Sequence, residues 1–173
     1  MPKTIVITGS NGFIAKNFIK KLSQDNRKFH LICTYNKTKP QLELNKNSCQ
    51  IKVNLLDKKS FHKLPKKVYS IFHFASEKNT FVDKSKMNQQ FINNAIMCLN
   101  IAEYAHNSSV KNLYFSSSVY VYSNNKNELF HEDSCSNPIE ILGISKLSSE
   151  LIFRSWGSFS NIKVFCLRLF TVY

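Results

Sequence analysis

Residues 3–15 read Lys3-Thr4-Ile5-Val6-Ile7-Thr8-Gly9-Ser10-Asn11-Gly12-Phe13-Ile14-Ala15, and this stretch decides the fold. Its first half, KTIVIT, is a short β-branched run suited to a buried parallel strand. Its second half is a glycine turn that opens an amphipathic helix carrying Phe18, Ile19 and Leu22 inward. A strand, a glycine turn and a helix N-terminus make an anion site, because free amide N–H groups and the positive end of the helix dipole converge. Gly9 permits the tight turn, Gly12 lets the backbone approach a phosphate, and Ala15 is small where helix meets strand. The amides of Gly9, Ser10, Asn11, Gly12, Phe13 and Ile14 are therefore expected to grip a diphosphate. A plain structural turn is the other reading of the glycine pattern taken alone.

The chain has 173 residues, which suits one domain with a real core, and 43% apolar residues argue against disorder. The N-terminal apolar run, Ile5 to Ile7, is far too short for a signal peptide or a membrane span. A soluble, cytoplasmic protein with no membrane partner is expected. Cys33, Cys49, Cys98, Cys135 and Cys166 form no C-x-x-C pair, so reduced thiols are expected and no metal site. His73 ends a predicted strand and reads as a core or supporting histidine. The net charge of +13 suits anionic partners. Its lysines are spread along the chain without an aromatic-interleaved basic motif, so nucleic acid is not expected as a partner.

Strands are expected at 3–8, 28–35, 49–55, 68–75, 110–117 and 163–170. Residues 36–47 read as a polar loop and 58–64 as at most a short helix. The longest helical pattern is 87–106, with Phe91, Ile92, Ala95, Ile96, Leu99, Ala102 and Ala105 at helical spacing. A polar loop spans 123–137, and a helix after Pro138 runs to about Trp156. This alternation implies an α/β fold, a doubly wound parallel sheet in the order 3-2-1-4-5-6. Both faces would be covered, and ligands would sit at the carboxyl ends of the strands. Where the second strand ends, Thr34-Tyr35-Asn36-Lys37-Thr38-Lys39 holds two lysines and no carboxylate. With Asn36 and Lys37 at the ribose, this favours NADP over NAD; a solvated loop is the plain account of the lysines.

At this point the chain resembles the extended short-chain dehydrogenase/reductase family, the NAD(P)-dependent epimerases and dehydratases of nucleotide sugars. The resemblance runs over almost the whole chain, on ordered motifs. T-G-S-N-G-F-I-A is similar to the family's T-G-x-x-G-x-x-G. Asn54-Leu55 falls where the family sets an acidic and an apolar residue against adenine. H-F-A-S-E-K is similar to the family's H-x-A-A/G segment and would place Phe74, Ala75, Ser76 and Lys78 along the cofactor. Asn94 falls at the family's cofactor-side asparagine. F-S-S-S-V-Y-V-Y resembles S-S-S-x-x-V-Y-G, which makes Ser118 the active-site hydroxyl, with Ser123 for glycine. L-R-L-F-T-V-Y resembles L-R-x-F-N-V-Y-G, with Thr171 for asparagine. The resemblance implies NADP or NAD as cofactor and a nucleotide sugar as substrate, in surface-polysaccharide synthesis. It also implies pairing of two copies through the two long helices, whose pattern equally suits packing on the sheet.

The chain departs from the family at the catalytic Tyr-x-x-x-Lys pair, in which lysine binds the nicotinamide ribose and lowers the phenol pKa. Gly143, Ser145 and Lys146 match the segment, but the tyrosine position is Leu142. Losing a general acid/base typically costs about 10²–10⁴-fold in rate. Three readings stay open: a silent nucleotide-binding or regulatory module, a substitute phenol at Tyr120, or a residue acting through water. Packing of a loop aromatic is the plain account of Tyr120. Val119-Tyr120 also replaces the dehydratases' Asp-Glu pair, which favours an epimerase or reductase over a 4,6-dehydratase. Family members are longer, and their further portion closes over the sugar. Residues 1–173 are accordingly expected to be the cofactor-binding domain, truncated before a substrate domain.

Overall fold

A computed structural model describes residues 2–25, 29–77, 86–122 and 129–172. Six strands form one parallel sheet: β1 (Thr4–Thr8), β2 (His30–Tyr35), β3 (Cys49–Lys52), β4 (Ser70–His73), β5 (Asn112–Ser118) and β6 (Lys163–Leu169). Their order is β3-β2-β1-β4-β5-β6, the doubly wound arrangement expected from the sequence. The order reverses between β2 and β4 on either side of β1, which opens a crevice at the carboxyl ends of these strands.

Among the described residues three α-helices complete the frame: α1 (Phe13–Ser23), α2 (Met87–Asn107) and α3 (Ile141–Ser160). α1 packs Ala15 and Ile19 onto Ile5, Ile7, Leu31 and Cys33. On the opposite face α2 and α3 lay Ile101, Ala105 and Phe153 over Val6, Ile71, Leu113 and Phe115. Burying each such side chain stabilises by roughly 1.5–3 kcal/mol, so the larger core holds the sheet to its two long helices. Asn161 ends α3 in the left-handed conformation, at φ 54°.

The covering is less regular than expected. Between β2 and β3 the described chain has no helix; an extended loop packs Leu42 and Leu44 on the α1-side core instead. The β3–β4 connection is a 3-10 turn, Lys58–Lys63, with Asp57 accepting from the Lys59 amide at its start. Among the described residues no helix covers β5 and β6 on the α1 side. Phe165 and Leu167 are 41% and 37% exposed, and Phe165 stacks on Tyr114, which stacks on Phe72. Of the thiols, Cys33 and Cys98 are buried, Cys166 half-buried, and Cys49 and Cys135 exposed. Burial pushes the Cys33 thiol up to about 12, which keeps it protonated and inert.

Candidate dinucleotide-binding site

The crevice is built around the β1–α1 turn. Gly9 has φ +67°, and a Cβ there would stand 2.6 Å from the Ala75 amide nitrogen. Any side chain would therefore collide where β1 and β4 leave the sheet together, and glycine is required on both counts. The Gly12 amide donates to the Gly9 carbonyl at 2.9 Å and closes the turn. Gly12 is also the N-cap of α1 and offers no side chain to cap the helix. The first-turn amides of α1, Phe13 and Ile14 among them, have no intrahelical acceptors.

A cleft of about 440 Å³ opens over this turn. It gathers Gly9, Ser10, Asn11 and Gly12 with Asn36 and Lys37 from the β2 exit, Asn54 and Leu55 beyond β3, and Phe74, Ala75 and Ser76 beyond β4. A second hollow of about 320 Å³ shares Gly12 and Phe74 with the first and continues past Phe13 and Ile14 to Ser116, Phe170 and Val172. The two together form an elongated trough across the glycine turn. Lys78 lies outside the described residues, as do Ser123 and Tyr173.

Several side chains expected at a ligand are spent on the protein itself. The Ser10 hydroxyl is buried and donates to the Thr34 carbonyl at 2.8 Å, so the residue presents only backbone to the cleft. The Asn54 side-chain oxygen accepts from the Leu56 amide at 3.2 Å. Asn94 is 4% exposed and stands behind the cleft. Its oxygen accepts from the Glu77 amide at 2.8 Å, and its amide group donates to the Glu77 carbonyl and to the Ser145 hydroxyl. It thus pins the segment after β4 to α3.

The sequence reading missed two supports. Asn100 donates to the Leu55 carbonyl at 2.9 Å and fixes that wall from α2. Thr8 accepts from the Ala75 amide at 3.2 Å and lies 2.7 Å from His73 Nδ1. Its hydroxyl proton is then free for Nδ1, which leaves hydrogen on Nε2, 3.8 Å from the Cys98 sulfur. Burial, with the Lys146 charge adding to it, lowers the His73 pKa to about 3. His73 is a neutral strut. This is the core or supporting role that its place at the end of a predicted strand implies.

The three residues given reactive roles line neither of the two hollows. Lys146 is buried, donates to the Ser116 carbonyl at 2.7 Å and lies 4.9 Å over the Phe115 ring. Burial lowers its pKa to about 8, against a smaller raising effect from Cys98. Ser118 ends β5 half-buried, and its oxygen accepts from the Tyr120 amide at 3.3 Å, capping the 3-10 turn Val119–Val121. Tyr120 projects outward at 43% exposure. Its carbonyl packs so tightly on Gly143 that a Cβ there would collide with it. Leu142 lies in the first turn of α3, half-buried, one turn before Lys146.

Beside Ser118, at Ser117, a charged clamp begins. Glu150 is fully buried and accepts from the Ser117 hydroxyl and from Arg168 at 3.1 and 3.0 Å. Arg168 also donates to the Glu132 carbonyl and the Ser136 hydroxyl, both at 3.2 Å, and lies 4.8 Å over the Tyr122 ring. One buried carboxylate therefore joins β5, α3 and β6, and through Arg168 the loop after Tyr122. Among the described residues no group of three or more His, Cys, Asp or Glu side chains could hold a metal, and no helix is long and apolar enough to cross a membrane.

A doubly wound sheet with a bare glycine turn under a trough defines a protein of the dinucleotide-binding class. The model of the NAD dependent epimerase/dehydratase family matches residues 5–173, and the chain belongs to that family. It is 31% identical to the UDP-glucose 4-epimerase of Mycoplasma genitalium, over 97% of this chain and 52% of that protein. Among solved structures it is similar to a UDP-glucose 4-epimerase (TM-score 0.86, 23% identity, 98% of this chain and 52% of that one). It is also similar to the UDP-glucuronic acid 4-epimerase of Bacillus cereus in complex with NAD (TM-score 0.83, 23% identity, 98% and 57%). The chain spans about half the length of these relatives.

Proposed function

We propose that this chain is the cofactor-binding part of a nucleotide-sugar epimerase or reductase, with the trough over Gly9–Gly12 taking NAD or NADP lengthwise. The carrying observation is the bare turn at the junction of two hollows, where a side chain at Gly9 would meet Ala75. The backbone amides of Asn11, Phe13 and Ile14 take the diphosphate, which the missing side chain of Gly12 lets approach, and Asn54, Leu55, Asn36 and Lys37 take the adenosine. Phe74, Ala75 and Ser76 line the passage to the nicotinamide, and Lys146 holds its ribose. The cofactor supplies a hydride acceptor for a sugar carbon. Ser118 faces the reacting oxygen as hydrogen-bond donor. The family is described as NAD dependent, while Lys37 without a neighbouring carboxylate supports acceptance of a 2′-phosphate as well. The substrate is a nucleotide sugar in cytoplasmic surface-polysaccharide synthesis. Calorimetric titration with NAD⁺, NADH, NADP⁺ and NADPH tests the reading: saturable binding of at least one is expected, with the phosphorylated forms no weaker. Absence of heat with all four sinks it.

A second reading, a catalytically silent binding module, is favoured by Leu142, which puts no exchangeable proton one turn before Lys146. Release of NADH or NADPH fluorescence on adding UDP-sugars separates the two. Turnover that is lost in Tyr120→Phe assigns the phenol role to Tyr120. No turnover before Leu142→Tyr, but turnover after it, supports a silent binder with a decayed site.

A further inference from the structure

All six strands are parallel, so every lead-in to a strand emerges on one rim, opposite the cleft. Those lead-ins carry lysine. Lys3 precedes β1, Lys66 and Lys67 lie just before β4, Lys111 precedes β5 and Lys163 opens β6. The hydrogen-bond ladder sets them in a row. The Tyr69 amide donates to the Thr4 carbonyl, the Lys111 amide to the Tyr69 carbonyl, and the Lys163 amide to the Lys111 carbonyl. With neighbouring strands about 4.8 Å apart, this row crosses four strands in about 15 Å. All five lysines are exposed, and among the described residues none is ion-paired. The acids Glu77, Glu132, Asp133 and Glu140 follow strand ends or precede α3 at the opposite rim. Five lysines that look dispersed in sequence are therefore brought to one rim by the fold.

We propose that this amino-terminal rim is a docking surface for an anionic phospholipid bilayer. The aromatic beside the row, Tyr69, is half-buried, and the Lys3 ammonium lies over its ring at 4.2 Å, where a single-strand reader would stack a nucleobase. Flexible ammonium groups on an open edge suit a two-dimensional array of phosphates. Docked this way, the sheet stands on its amino ends and the trough faces solution. The expectation of no membrane partner drawn from sequence addressed spanning segments and dispersed charge; neither bears on a rim assembled by topology. This inference does not depend on what the trough binds.

The test is sedimentation of the whole chain with phosphatidylcholine vesicles, with and without phosphatidylglycerol. Retention only on the anionic vesicles, fading as salt shortens the screening length, is expected. Combining Lys67→Gln, Lys111→Gln and Lys163→Gln should lower partitioning on the order of a hundredfold, about fivefold for each lysine. The equally charged control Lys16→Gln, Lys52→Gln and Lys59→Gln, away from the rim, should lose far less. Circular dichroism of both triple variants should match the parent, since every changed side chain is exposed. No retention on anionic vesicles, or equal losses in the two triple variants, overturns the proposal. So does release by soluble glycerol phosphate, or retention of single-stranded RNA that the rim variants lose in parallel.

Discussion

At the scale of single residues, the buried ionisable groups set how the fold responds to change. Glu150 has no access to water and is satisfied by Ser117 and by the Nε–Nη2 edge of the Arg168 guanidinium. Removing one partner strands the other, so Arg168→Met should destabilise by about 3–5 kcal/mol in urea unfolding. The double variant that also changes Glu150→Met should recover much of that loss, because no buried charge is then left alone. Recovery of nothing would mean that the clamp is not energetically closed. His73 governs the acid limb. In the unfolded chain it takes up a proton near its ordinary value of 6.5, whereas the folded chain keeps it neutral down to about 3. Between these values the unfolded state binds the extra proton, so this contribution to stability is complete above 6.5 and is lost progressively as pH falls. His73→Gln should flatten the fall in unfolding free energy across that window, whatever its own offset. An unchanged slope would refute the assignment.

At the scale of elements, what could be read from sequence was what periodicity and turn chemistry control. The β-branched run before Gly9, the helical spacing in α2 and the alternation of elements suffice for sheet order, because parallel strands joined by crossovers admit few topologies. What could not be read was set by tertiary partners. Residues 53–55 have strand composition, yet β3 stops at Lys52 because Asn54 turns back onto Leu56. Asn94 and Ser10 sit at the right motif positions, but their polar atoms are claimed by Glu77, Ser145 and Thr34, which lie far off in sequence. The apolar stripes of α2 and α3 show the same limit. Ile92 and Leu99 on α2 and Leu151 on α3 are 47%, 45% and 58% exposed, more than packing on the sheet requires. Pairing of two chains through these helices would cover them. Sedimentation equilibrium should give twice the chain mass, and Leu99→Glu with Leu151→Glu should return the monomer with unchanged circular dichroism. A parent that sediments as a monomer at all concentrations removes this pairing.

At the scale of the whole molecule, binding and stability are one quantity. The trough walls are exits of β1, β2 and β4 together with the loop after β3, held by Thr8, Asn100 and Asn94 from behind. None of these walls exists in the unfolded chain, so a dinucleotide binds the folded state alone. At a hundredfold excess over its Kd such a ligand adds about 2.7 kcal/mol. For a chain of 173 residues that amounts to a rise in Tm of roughly 5–10 °C. ADP alone should give part of the shift, since it reaches only the adenosine end and the glycine turn. Gly9→Ala should abolish the increment for both ligands, because the new methyl would meet the Ala75 backbone in a conformation that strains any L residue. A full shift in that variant would mean that the ligand sits elsewhere. A shift with dinucleotide but none with ADP would move the binding energy to the nicotinamide end, leaving the glycine turn a structural corner.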